Sequence, residues 1–193
     1  YPEVSFVRYA DDIVVHCKSK EEAEGVLEAI KERLKEVKLE IKNEKTRIAY
    51  CKDYRRKEAH EIVKFEFLGF SFQPRARKSK INGKLYTAFT AEISQTNQKK
   101  LRGIIREIKE FKNTTLEISD IADSLNSKLR GWINYYGVYS KRSLRVTLSH
   151  VEWRLLKWVR KKYRLGWRKA AAKLATIKEQ YPKLFYHWEV GIC

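Results

Sequence analysis

At 193 residues and 43% hydrophobic side chains, the chain has room for one large domain or two small ones and enough apolar mass to exclude wholesale disorder. It holds no apolar run of the roughly 18 residues a membrane helix needs, and no basic-then-apolar opening of a secretion signal, so a cytoplasmic protein with no membrane partner is expected. Lys and Arg total 42 against 24 Asp and Glu, a net charge of +18. The excess is uneven: Lys99 to Lys178 holds 21 basic and 6 acidic residues, residues 1–98 only 20 and 16. A surface this positive repels itself unless an anionic polymer neutralises it. Trp132, Tyr135, Tyr136, Trp153, Trp158, Tyr163 and Trp167 are interleaved with the charge. Basic groups track phosphates and aromatic faces stack on bases, so nucleic acid is the indicated partner. The plainer alternative is a solvated basic face over an aromatic core.

In chain order, Phe6, Val7, Ile13, Val14 and Val15 read as two short strands around the Asp11-Asp12 turn. Ser19 with Glu22 is a capping box, and Ala23, Val26, Leu27, Ile30, Leu34 and Val37 follow as one helical stripe. Leu39, Ile41, Ile48 and Tyr50 suggest short strands beside the Asn43–Thr46 turn. Phe65 to Phe72 reads as one apolar strand interrupted by Gly69, with Pro74 and the basic Arg75–Lys80 cluster ending it. Asn82-Gly83 signals a hairpin, with Leu85 to Phe89 returning. Beyond Glu92 the pattern turns helical. Stripes run from Leu101 to Phe111, through Ala122, Leu125 and Leu129 after a Ser119 cap, from Ser143 to Val159, and from Arg168 to Glu179 before Pro182. The expected fold is α+β: antiparallel hairpins with one helix over residues 1–92, then an all-α domain over 93–193.

Cys17, Cys51 and Cys193 lack C-x-x-C spacing and read as free thiols of a reducing compartment. His16, His60, His150 and His187 form no ligand pattern, so no zinc is expected. The sharpest motif is FVRYADDIVV, Phe6 to Val15. Phosphoryl transfer to a primer 3′-hydroxyl uses two divalent metals, and carboxylates are their natural hard-oxygen ligands. A hairpin holds such ligands more rigidly than a loop. An Asp pair in a turn is also ordinary turn chemistry.

YADD, Tyr9 to Asp12, resembles the polymerase motif of reverse transcriptases in the form typical of group II intron-encoded proteins. LEIKNEKTRI (Leu39 to Ile48) is similar to that family's next palm motif, and FEFLGFSF (Phe65 to Phe72) to its primer grip. LRGWINYYG (Leu129 to Gly137) resembles the signature of the maturase-specific domain, and PKLFYHW (Pro182 to Trp188) the end of that domain. The resemblance covers nearly the whole chain. It implies the C-terminal half of a reverse-transcriptase palm followed by thumb and maturase domain.

It further implies that Asp11, with Asp12 beside it, holds catalytic Mg²⁺ or Mn²⁺. Tyr9 and Ala10 would lie near nucleotide or primer end. Lys45 would approach the triphosphate, or is simply a solvated turn lysine. Phe67, Leu68, Gly69 and Phe70 would form the primer grip, Gly69 permitting close backbone approach or marking a bulge. On a helix, Leu129, Trp132, Ile133 and Tyr136 share a core face, while Arg130 and Asn134 share another that could touch RNA. Arg154, Lys157, Arg160, Lys161, Lys162, Arg164, Arg168 and Lys169 are the candidate phosphate contacts, some of them merely solvated.

The expected partners are structured intron RNA and an RNA/DNA template–primer. In the family, fingers and a first palm half with another metal-binding Asp precede YADD, and neither can be placed here. The metal would then be held only with that missing half present, and the chain alone is expected to bind RNA without polymerising. Its palm strands would expose an edge. The competing readings are a reverse transcriptase of a non-intron system, such as a CRISPR-linked one, and a stand-alone RNA-binding splicing factor.

Overall fold

Strand-formers on both sides of Ala10-Asp11 close the first element into a two-residue hairpin. In the computed structural model, which describes residues 2–192, β1 (Ser5–Tyr9) pairs antiparallel with β2 (Asp12–His16), setting Tyr9 opposite Asp12 and Val7 opposite Val14. Asp12 is thus the first strand residue rather than a turn residue. Helix α1 (Lys20–Glu36) follows. Ser19 Oγ accepts from the Glu22 amide at 3.2 Å. The Glu22 carboxylate accepts from the Lys18 amide, one residue before the cap, so the capping box expected here is offset by one position.

The strands expected at Leu39–Ile41 and Ile48–Tyr50 do not form: residues 39–64 are irregular, joined by bonds such as Tyr50 N–H to Ile62 O at 2.8 Å. Strand-forming side chains without a neighbouring strand cannot close a ladder, and Leu39 is exposed. The run expected to be one strand is a tight hairpin, β3 (Phe65–Phe67) and β4 (Phe70–Lys78), with Phe67 opposite Phe70. Its two loop residues, Leu68 (φ 47°) and Gly69 (φ 77°), both take positive φ, the backbone that matches strand twist in a two-residue turn. Gly69 is a turn glycine, not a bulge.

β4 continues through Pro74, which was expected to end it. β3 pairs with β4 only as far as Phe72, so at residue 74 only β5 (Leu85–Ile93) flanks it, and a proline lacking N–H is tolerated on the open side. The Asn82-Gly83 hairpin forms as expected, with Gly83 at φ 69°. Phe65 stacks on Phe72 at 4.8 Å.

The chain divides into two compact units, Tyr1–Thr90 and Ala91–Cys193. The second is helical: α2 (Gln95–Glu107), a single 3-10 turn at Glu110–Lys112, α3 (Ile118–Tyr136), α4 (Lys141–Lys162), α5 (Trp167–Gln180) and the short α6 (Tyr186–Glu189). The helical stripes converge on one core: Ile105, Ile121, Leu125, Leu129, Leu148 and Leu155 are wholly buried. Each such side chain contributes about 1.5–3 kcal/mol. Glu117, not Ser119, starts α3, its amide donating to Asp120 Oδ2 at 2.8 Å. Ser140, not Ser143, precedes α4, and its buried hydroxyl accepts from Ile93 N–H at 2.8 Å.

Candidate functional site

The carboxylate tip is exposed. Asp11 occupies the loop and Asp12 the strand start, and neither is held in an ion pair among the described residues. Ala10 carries φ 51°, a left-handed backbone unfavourable for a residue with Cβ, and its carbonyl accepts from Arg8 Nε at 2.9 Å. The strained turn is therefore braced from its own strand. Tyr9 is 63% exposed beside it. Two adjacent carboxylates are suitable donors for Mg²⁺, but no third His, Cys, Asp or Glu joins them among the described residues. The pair fits as part of a donor set.

Lys45 is exposed on a turn closed by Lys45 and Thr46 amides donating to Lys42 O. Phe67, Leu68 and Gly69 are half-buried at the β3–β4 turn and Phe70 is buried. Cys17 and Cys51 are free thiols, both pushed up by burial. Cys193 lies outside the described residues.

In the helical unit the candidate residues separate by what they touch. On α3, Leu129, Ile133 and Tyr136 are buried and Trp132 half-buried, while Arg130 and Asn134 are exposed. Tyr186 of α6 links those two: its ring lies 5.0 Å from the Arg130 guanidinium and its hydroxyl donates to Asn134 Oδ1 at 3.4 Å. Asn126 holds α6 in place, donating to Leu184 O and accepting from Tyr186 N–H, both at 2.9 Å.

Two of the eight candidate cations around α4, Arg154 and Lys162, donate to backbone carbonyls. The Arg154 guanidinium lies 5.0 Å from the Phe111 ring and donates to the Arg106 and Ile108 carbonyls at 3.4 Å, tying α4 to the end of α2. Burial lowers its pKa. Lys162 donates to Leu116 O and to Glu117 Oε1 at 2.7 Å, its side chain 14% exposed. Lys157, Arg160, Lys161, Arg164, Arg168 and Lys169 are exposed.

The chain reverses between α4 and α5 at Arg164, whose φ of 51° places a side chain where glycine is usual. Leu165 N–H donates to Arg160 O at 3.0 Å, closing the α4 C-terminus. The reversal lays Trp167, first residue of α5, against Trp153 of α4. Their rings are stacked at 5.2 Å with 3° between planes. Lys157 Nζ lies 5.0 Å from the Trp153 ring and Arg160 Cζ 4.4 Å from the Trp167 ring. The reading of the sequence missed this pair and Tyr186. The former joins residues 14 apart through a helix reversal, and the latter needs the fold of α6 onto α3.

Comparison with known proteins gives two family matches. The reverse transcriptase (RNA-dependent DNA polymerase) model matches residues 1–72, and the group II intron, maturase-specific domain model matches residues 98–175. No curated protein matches the chain.

Proposed function

Since the chain belongs to the group II intron reverse transcriptase/maturase family, of which it carries a C-terminal region, we propose that its two units divide the work: the first supplies carboxylates to DNA synthesis, and the second grips RNA. Both matched domains imply binding of intron RNA and of template–primer in general, and reverse transcriptases generally use Mg²⁺. No helix among the described residues is long and apolar enough to cross a membrane.

In this reading Asp11 is a metal ligand and Asp12 a neighbouring one, completed by donors from the rest of the polymerase. Bound there, Mg²⁺ supplies activation of the attacking hydroxyl and neutralisation of the leaving oxygen. Tyr9 and Ala10 border the nucleotide. Lys45, exposed on its turn, offers a positive charge to the triphosphate. The Phe67–Phe70 turn presents backbone to the primer, Gly69 letting it approach closely. With only a partial donor set, the isolated chain binds RNA without polymerising, and its part in splicing and mobility is to hold intron RNA.

One observation carries the RNA-binding half: six exposed cations cluster on α4, α5 and the reversal between them, inside the stretch matched by the maturase-specific domain. If all six neutralise phosphates, log K against log salt should fall with a slope of about −4 to −5. Titrating structured RNA at several salt concentrations tests this. A salt-independent affinity, or no binding at micromolar protein, rejects the proposal.

A further inference from the structure

We propose that the stacked Trp153–Trp167 pair is a docking site for an unpaired nucleobase of the bound RNA, resting on the RNA-binding reading above and adding to it a distinction between unpaired and duplex strands. Tryptophan is largely buried on average in folded proteins. Here two of them lie face to face while 47% and 44% exposed, and the other tryptophans of the helical unit are buried or half-buried. Joining α4 to α5 does not require this exposure, because the two helices pack together and each has buried residues of its own, Leu155 and Val159 on α4 and Ala170 and Leu174 on α5.

The surroundings specify the ligand. Lys157 Nζ lies over the Trp153 ring at 5.0 Å and Arg160 Cζ over the Trp167 ring at 4.4 Å, so a base takes an outer indole face by displacing one of these exposed side chains, which then meets its phosphate. Lys161, Arg164 and Arg168 are exposed on the same helix ends. An apolar partner would have to desolvate these cations. A nucleotide satisfies both parts, its base on the indole and its phosphate among the cations. Bases inside a duplex have both faces covered by neighbours and offer none to a tryptophan. The occupant is therefore a base in a loop, a bulge or a strand end.

The test uses the full chain and three RNAs of equal length: a hairpin with a single-stranded extension, the same with abasic extension residues, and a blunt duplex. Wild-type protein should prefer the first by about tenfold, with quenching of the exposed tryptophan fluorescence. The double change Trp153→Leu and Trp167→Leu should remove the preference and leave duplex affinity unaltered, while Trp153→Phe with Trp167→Phe should retain most of it. Equal wild-type affinity for all three RNAs overturns the stacking site but leaves RNA binding intact. Binding to none overturns the RNA-binding reading itself. Equal loss for all three RNAs in the Leu variant, with the helical fold retained by circular dichroism, also overturns the site. Should the Leu variant not fold, the wild-type comparison of intact and abasic extensions decides alone.

Discussion

Glu152 on α4 is the acceptor that fastens the end of the helical unit. His187 Nε2 donates to its carboxylate at 2.7 Å and Trp188 Nε1 donates to the same oxygen. His187 is wholly buried and Trp188 nearly so, and neither donor can turn to water when the acceptor goes. Glu152→Ala therefore strands two buried donors, each costing about 1–3 kcal/mol, for a total of about 2–6 kcal/mol. For a unit of this size 1 kcal/mol corresponds to about 4–8 °C, so its thermal transition, followed by circular dichroism, should fall by about 10 °C or more. Glu152→Gln keeps an acceptor oxygen and should cost about 1 kcal/mol. Burial pushes the Glu152 carboxyl up, but the His187 and Trp188 hydrogen bonds, with the charges of His187 and Lys178, leave it below its ordinary value. A carboxylate depressed in the folded state contributes stability that is present above its unfolded pKa and is lost as pH falls through the folded one. The gap between wild type and Glu152→Ala should thus be full at neutral pH and narrow below about pH 4.5. A variant as stable as wild type, or a gap that widens in acid, refutes this role.

Asn126→Ala removes two of the bonds between α3 and the α6 segment and should lower stability in urea by about 1–3 kcal/mol, loosening the Tyr186 contacts with Arg130 and Asn134. Gly69→Ala places a Cβ at φ 77° and should cost about 1–2 kcal/mol, seen as a lower melting temperature. Arg154→Met should lower stability by about 1 kcal/mol while leaving the salt dependence of RNA binding unchanged, since its guanidinium is spent on α2 carbonyls. Lys161→Ala with Arg168→Ala should do the reverse, flattening the salt slope by about 2 with the melting temperature unmoved.

What was legible in the sequence was whatever depended on near neighbours. The opening hairpin, the Ser19 start of α1, the Asn82-Gly83 turn and the helical stripes all follow from periodicity and caps within a few residues. Errors arose where a partner decides the outcome. Leu39–Tyr50 has strand-forming residues but no strand to pair with, whereas Pro74 is accepted inside a strand because β3 stops short of it. Leu68-Gly69 gave little turn signal because leucine rarely adopts positive φ. Among the site residues, Asp11 and Asp12 were readable as a motif. Composition makes all eight cations around α4 look alike. Only the fold separates Arg154 and Lys162, engaged with carbonyls, from the six at the surface, and only the Arg164 reversal brings Trp153 and Trp167 together.

The acidic tip of β1–β2 is where the division of labour between the two units can be tested. Primer extension and RNA affinity should be measured side by side on protein carrying every part of the polymerase site, with and without Asp11→Ala. Without the Asp11 carboxylate, extension should disappear while RNA affinity and its salt slope are retained. DNA synthesis that persists at wild-type rate in that variant would contradict this division.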